Sequence, residues 1–301
     1  MSSSNQDKAP LPFIYQFIAG AVAGVSEILV MYPLDVVKTR MQLQVSGANE
    51  PPRYTGVIDC MKKIIAKEGP TRLYKGISSP ILMEAPKRAT KFACNDEFQK
   101  IYKNLFGVDK LSQPLSMLAG ASAGCAEAFV VVPFELVKIR LQDVSSKFKG
   151  PIDVVSHIIR KEGPLAMYNG LESTLWRHAI WNGGYFGVIF QVRQMLPKAE
   201  TKMQQTRNDL IAGTIGGTVG SLLSTPFDVV KSRIQNTAVV SGVTRKYNWS
   251  CPSLVTIYKE EGFKALYKGF VPKVLRLGPG GGILLVVFTG VLDFFREARA
   301  T

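Results

Sequence analysis

Two histidines and four cysteines are all that the 301 residues offer to soft metals or to imidazole and thiol chemistry. Cys60, Cys94, Cys125 and Cys251 form no C-x-x-C pair, so they imply neither a zinc site nor a disulfide framework. A His-built metal site or catalytic triad finds no basis in His157 and His178 alone. No nucleophile–base pair and no phosphate loop stand out, which argues against an enzyme and against a bound cofactor or metal. Acidic residues are also short: 23 against 37 basic ones, for a net charge of +14. Such a surplus suits nucleic acid, an anionic membrane surface or acidic small molecules. The basic residues are scattered, with no basic tail and no nucleic-acid motif, so nucleic acid is set aside. Met1 to Lys8 is polar, contains Asp7, and has neither a secretory apolar run nor an Arg-rich amphipathic character. Organelle targeting is therefore expected to be internal.

What the chain does have is a threefold repeat. Pro33-Leu-Asp35-Val-Val-Lys38-Thr-Arg40-Met-Gln42 returns as Pro133-Phe-Glu135-Leu-Val-Lys138-Ile-Arg140-Leu-Gln142. It returns again as Pro226-Phe-Asp228-Val-Val-Lys231-Ser-Arg233-Ile-Gln235. Three copies of one register settle the organisation before any other feature. Each signature closes an apolar segment: residues 9–34 with Glu27 as the one acid, Leu111 to Phe134 with Glu127, and Leu210 to Phe227 without interruption. About 20 apolar residues cross a bilayer, so each reads as a spanning helix, kinked at its proline. Gly20/Gly24, Gly120/Gly124 and Gly213/Gly217 hold small-x-x-x-small spacing, which lets helix backbones approach closely in lipid.

After each signature come a polar loop, an aromatic-x-glycine step (Tyr54-Thr-Gly56, Phe148-Lys-Gly150; Tyr247-Asn-Trp249 departs) and a short amphipathic stretch such as Val57 to Lys67. That stretch suits a helix lying in the interface plane. It stops at Glu68-Gly69, Glu162-Gly163 or Glu261-Gly262, glycine being a common helix terminator. Tyr74-Lys-Gly76, Tyr168-Asn-Gly170 and Tyr267-Lys-Gly269 then open a second long helix: Ser79 to Tyr102, Leu171 to Leu196 and Val271 to Phe295. The expected fold is an all-α membrane protein of six transmembrane helices, built from repeats at 12–108, 112–198 and 207–297. Charge sits at depth in the second helices: Glu84, Lys87, Arg88 and Lys91, then Arg177 with His178, then Arg276. Intramembrane charge is tolerated mainly where it faces a watered, protein-lined cavity.

The triplicated P-x-[DE]-x-x-[KR]-x-[KR]-x-Q with its downstream Glu-Gly resembles the mitochondrial carrier family, over about Phe13 to Arg296. Ser79-Pro-Ile-Leu-Met-Glu-Ala-Pro-Lys-Arg-Ala and Leu277-Gly-Pro-Gly-Gly-Gly are similar to fungal members that carry 2-oxodicarboxylates. The resemblance implies a pseudo-threefold barrel in the inner mitochondrial membrane, with the short surface helices on the matrix side, working as an antiporter by alternating access. It implies a matrix gate of Asp35–Lys138, Glu135–Lys231 and Asp228–Lys38, with Gln42, Gln142 and Gln235 each bracing one pair. The cytoplasmic counterpart is only a remnant: Asp96 with Gln99, Phe190 with Arg193, and Thr289 with Leu292, which cannot make a full ring. The family's contact positions fall at Met83/Glu84, Arg177/His178 and Arg276/Leu277. Two arginines on different helices suit the two ends of a dicarboxylate, with Lys87, Arg88 and Lys91 adding positive field. Glu27, Glu84 and Glu127 are expected to pair with nearby lysines, or else to take up a proton. Trp181, Asn182 and Tyr185 either line the cavity or pack helices. Gly56, Gly76, Gly150, Gly170 and Gly269 resemble cardiolipin-binding helix starts. The expected function is exchange of 2-oxoglutarate and 2-oxoadipate, with citrate or malate transport, or a dissipative anion or proton channel, as alternatives. One six-helix chain would suffice as a monomer.

Overall fold

The computed structural model describes residues 12–45, 52–109, 112–197, 201–238 and 245–300. Met1 to Lys8, Leu111 at the expected start of the third span, and the side chain of Phe190 lie outside the described residues. Six long helices carry the fold: α1 (Phe13–Leu43), α3 (Ser78–Phe106), α4 (Gln113–Gln142), α6 (Leu171–Met195), α7 (Lys202–Asn236) and α9 (Phe270–Ala300). Three short ones lie between them: α2 (Val57–Glu68), α5 (Pro151–Lys161) and α8 (Ser250–Glu261), each followed by a 3₁₀ turn. Ile14–Leu43, Leu118–Gln142, Met203–Asn236 and Phe263–Ala298 are long and apolar enough to cross a membrane on composition. The other two long helices, α3 and α6, are those that bring charge and polarity to depth.

The signature prolines do not end their helices. Pro33, Pro133 and Pro226 sit inside α1, α4 and α7, which run on to Leu43, Gln142 and Asn236. Proline deletes one backbone donor without forbidding helical φ, so a long helix held by its neighbours continues through it. The acid, lysine, arginine and glutamine of each signature therefore share one continuous helical end.

The long helices close into a ring: α1 packs on α3, α3 on α4, α4 on α6, α6 on α7, α7 on α9, and α9 back on α1. α1, α4 and α7 also touch one another, so their ends converge. At that end each repeat has its own small core. Tyr32, Val36 and Val37 meet Cys60 and Ile64 of α2. Leu136, Val137 and Leu141 meet Val154 and Ile158 of α5, and Val229, Val230 and Ile234 meet Ile257 of α8. Full burial of one such aliphatic side chain is worth about 1.5–3 kcal/mol, and each surface helix is anchored by one or two buried core residues of one face.

The expected glycine contacts are corrected. A side chain at Gly120 or Gly124 would meet nothing within 4 Å, and Gly213 and Gly217 are in loose contact only. Gly20 and Gly24 admit the Arg88 and Glu84 side chains of α3 rather than a backbone. Close helix approach belongs to Gly216 and Gly220 of α7: a Cβ at Gly220 would stand 2.9 Å from the Trp181 carbonyl oxygen of α6. Trp181 stacks on Tyr185, their centroids 5.0 Å apart, and both lie against this glycine row. These two aromatics pack α6 on α7, while exposed Asn182 donates to the His178 carbonyl at 2.8 Å.

Candidate functional site

Where α1, α4 and α7 converge, the acid of each signature faces a lysine of another repeat. Lys138 Nζ donates to Asp35 at 2.8 Å, Lys231 to Glu135 at short range, and Lys38 to Asp228 at 3.4 Å. The three links run 1–2, 2–3 and 3–1 and so tie the repeats into a closed floor.

The glutamines do not brace these pairs. Gln42 Oε1 accepts from Ser232 at 2.8 Å, and the Gln142 amide donates to the Tyr32 hydroxyl at 2.9 Å. Neither polar atom of the Gln235 side chain has a hydrogen-bond partner among the described residues. One turn beyond the lysines, Gln42 and Gln235 pack against Gly269 and Gly170, which open the neighbouring repeats' second helices. Those glycines have φ of +89° and +81°, and a Cβ there would meet the glutamine Cγ at 2.9 and 2.8 Å. Turn conformation and close approach thus both require glycine. Gly76 repeats the positive φ (+84°) but abuts Leu141 and the Tyr32 hydroxyl; Gly56 and Gly150 are extended and face open space.

A second threefold set, which the signature spacing alone does not reveal, lies beside the first. Arg40, Arg140 and Arg233, two residues past each lysine, grip Glu68, Glu162 and Glu261 with both terminal nitrogens. Each Nε then donates to the carbonyl of another repeat's glutamine: Arg40 to Gln142 at 2.6 Å, Arg140 to Gln235 at 3.2 Å and Arg233 to Gln42 at 3.2 Å. One guanidinium fork therefore fixes its own surface helix and a neighbouring repeat together. The signal was present, since an arginine and a Glu-Gly recur in every repeat. Burial works against the Glu261 carboxylate, but hydrogen bonds from Arg233 and Lys268 outweigh it and hold its carboxyl below the usual range. Glu68 is likewise held low, first by its hydrogen bond from Arg40.

The arginines expected to meet substrate are already engaged. Arg276 donates to Asp35 Oδ1 at 2.6 Å and to Glu27 Oε1 at 2.8 Å. Arg177 Nε lies 3.6 Å from Asp228 Oδ1, and its NH2 contacts His178 Nε2, an arrangement that uses Nε2 as acceptor. Lys273, in no repeat register, donates to Asp228 Oδ2 at 2.6 Å and to Ser224 Oγ at 2.7 Å. A cavity of about 360 Å³ is lined by Glu27, Asp35, Lys38, Lys273, Arg276 and their apolar neighbours on α9. Of the expected contact positions, Arg276 and Leu277 line it; Glu84, Arg177 and His178 do not.

The acids at depth divide three ways. Glu27 pairs with an arginine rather than a lysine. Glu84 pairs with Arg88 at 2.7 Å and Lys87 at 3.8 Å on its own helix, while Lys91 is exposed. Glu127 is buried at 8% exposure and makes no ion pair or hydrogen bond with any described residue. At the far end of the ring Asp96 is exposed, and Arg193 pairs with Asp209 of α7 at 2.8 Å instead of with any member of the expected remnant. Thr289 donates to its own helix, at the Leu285 carbonyl.

A model of the mitochondrial carrier protein family matches residues 9–105, 109–200 and 202–299. The chain is 64% identical to a protein named mitochondrial 2-oxodicarboxylate carrier 2 of Saccharomyces cerevisiae, over 99% of both chains. It is 69% identical to one named mitochondrial citrate transporter D of Aspergillus niger, again over 99% of both. It is 41% identical to the mitochondrial 2-oxodicarboxylate carrier of Homo sapiens, over 94% of both.

Proposed function

The chain belongs to the mitochondrial carrier family, and from that premise we propose that it exchanges 2-oxodicarboxylates, such as 2-oxoglutarate and 2-oxoadipate, by alternating access. It is a multi-pass protein of the inner mitochondrial membrane. The observation that carries the substrate class is the charge of the converging floor. Lys38, Lys138, Lys231, Lys273, Arg177 and Arg276 face Asp35, Glu135, Asp228 and Glu27. Six cations against four carboxylates leave two positive charges, the complement of one dianion. Planar guanidinium groups on two different helices suit a solute with a carboxylate at each end.

The same contacts suggest how binding reaches the gate. Arg276 links α9 to α1 through Asp35 and Glu27, and Arg177 links α6 to α7 through Asp228. A substrate carboxylate that takes either guanidinium exchanges one carboxylate partner for another and removes a link across the floor. The remaining lysine pairs then break at lower cost, and the floor opens toward the matrix. Substrate shifts this equilibrium only by the difference in its affinity for the two states. The far end, with its broken remnant, favours the state open to the cytoplasm in the absence of substrate.

A tricarboxylate is the second reading, favoured by the Aspergillus niger relative's name. Competition of homo-exchange decides between them: labelled 2-oxoglutarate is exchanged against internal 2-oxoglutarate while external 2-oxoadipate, malate or citrate is added. Strongest inhibition by 2-oxoadipate supports the proposal, and strongest inhibition by citrate replaces it.

Anionic lipid is the proposed membrane partner, cardiolipin in particular, and the functional unit proposed is a monomer. A cleft of about 540 Å³ between the first two repeats is lined by Arg72, Lys75, Lys147 and Lys149 with Phe148. It lies beside the start of α5. Burial, then neighbouring Arg72 and Arg40, lower the pKa of Lys75, a strain that a bound phosphate would relieve. The corresponding start of α8 differs: the Ser250 N–H and hydroxyl both donate to Glu172 Oε2, at 3.0 and 2.6 Å. A carboxylate from α6 occupies that helix end, so no lipid phosphate is assigned there.

A further inference from the structure

Asp228 is the most heavily bonded acid of the floor, and its bonds are unequal. Lys273 Nζ lies 2.6 Å from Oδ2, whereas Lys38, the gate lysine of the first repeat, lies 3.4 Å from the same oxygen. Asp35 and Glu135 keep short contacts to their own gate lysines. The asymmetry has a source in the sequence. The α9 position of Lys273, three residues before Arg276, corresponds to Pro80 in α3 and Thr174 in α6, neither of which can carry charge. Among the described residues, only the third repeat pairs its own gate acid directly with a cation of its own second helix. Ser224 Oγ, 2.7 Å from the same ammonium, fixes it in place.

The consequence falls on Lys38. Its side chain is 26% exposed, against 19% for Lys138 and 6% for Lys231, and it lines the 360 Å³ cavity with Arg276. A lysine whose carboxylate partner is claimed by a nearer cation is free to turn to another anion. We propose that Lys273 is a positioning residue: by holding Asp228 it frees Lys38 to meet, with Arg276, one carboxylate of the substrate. Two consequences are built in. Substrate binding at Lys38 stretches no strong pair, so the third-to-first repeat link is the first to yield. Once Lys38 leaves, Asp228 is still compensated by Lys273, which avoids stranding a buried carboxylate.

This inference rests on the dicarboxylate reading, and its tests separate the two. The kinetic test is KM and kcat for 2-oxoglutarate homo-exchange in liposomes with wild type, Lys273→Met, Lys38→Met, the double variant and Lys273→Arg. Without Lys273, Asp228 recaptures Lys38, and KM rises roughly tenfold, the scale of one charge-assisted hydrogen bond. Lys38→Met raises KM by the same factor, the double variant is no worse than either single one, and Lys273→Arg restores wild-type KM. Multiplied effects in the double variant would mean that Lys273 meets substrate on its own and would overturn the proposal; so would an unchanged KM in Lys273→Met. The second test needs no transport. A thermal-unfolding double-mutant cycle of Lys38→Met and Asp228→Asn gives weak coupling in the native background and clearly stronger coupling once Lys273→Met is present. Equal coupling in both backgrounds overturns the proposal. A wild-type protein that exchanges no oxodicarboxylate defeats the functional reading, and the thermal cycle still decides the role of Lys273.

Discussion

Glu27→Gln tests the idea that resting acids compete with substrate for Arg276. In the structure the guanidinium divides its terminal nitrogens between Asp35 and Glu27, at 2.6 and 2.8 Å. Two unit charges about 4 Å apart attract by roughly 4 kcal/mol at an effective dielectric of 20. The pair is partly wet, with side-chain exposures of 32% and 20%, so screening and desolvation reduce its net worth to about 1 kcal/mol. Glutamine keeps the shape and one carbonyl acceptor but gives up the charge. Substrate then displaces a neutral amide instead of a carboxylate. KM for 2-oxoglutarate should fall about fivefold, the equivalent of that 1 kcal/mol, with kcat little changed because Glu27 is in none of the three lysine pairs. The assay is initial-rate homo-exchange in liposomes over a range of external substrate. A raised KM, or loss of exchange, would refute competition and make Glu27 part of substrate binding itself.

Arg177→Ala and Arg276→Ala should each cut kcat/KM by about 100-fold, and Arg276→Lys by about tenfold, since lysine keeps the charge and loses the fork; near-native exchange in either alanine variant would remove the two-arginine clamp. Arg233→Lys breaks a two-nitrogen grip on Glu261 and removes the Arg233 donors from the Gln42 and Gln44 carbonyls, of which Gln44 keeps Lys268. It should cost about 2–4 kcal/mol and lower the unfolding temperature by several degrees, read by thermal melts in detergent. Glu68 and Glu261 have depressed carboxyl pKa values in the folded state, so their contribution is complete above the unfolded value of about 4.3 and is lost as pH falls below it. The melting temperature should hold from pH 7 to 5 and drop below about pH 4.3, and a flat profile to pH 3 would contradict this. Gly269→Ala combines a φ of +89° with a Cβ 2.9 Å from Gln42 Cγ, and should destabilise by about 2 kcal/mol or more, whereas Gly56→Ala, in extended backbone and open space, should be nearly silent on the same melts.

The legible part of this protein was whatever occurs three times. Spans, surface helices, lysine–acid pairs and glycine stops all follow from one register read in triplicate. The arginine–glutamate grip is equally triplicated, but local spacing suggests a helix stop at Glu-Gly and hides a partner 22 or 28 residues earlier. The glutamines were misassigned for the opposite reason. Their recurrence marks a shared position, but whether an amide bonds a lysine or packs on a turn glycine is set by tertiary geometry. Lys273 could not be found by register at all, since its counterparts are Pro80 and Thr174. The arginines stand out by charge at depth, yet sequence says nothing of Asp35, Glu27 and Asp228 holding them at rest. Glycine spacing marks no backbone approach in any of the three repeats, because a small residue permits close approach without requiring it.

The central claim is obligatory exchange of dicarboxylates through a floor that a dianion opens. It is tested most directly by uptake of labelled 2-oxoglutarate into liposomes carrying the purified protein, preloaded or not with 2-oxoadipate. The account predicts fast uptake only into preloaded vesicles. Equal uptake into empty vesicles would contradict it and point to a channel, and failure of internal 2-oxoadipate to stimulate, where citrate does, would overturn the substrate assignment.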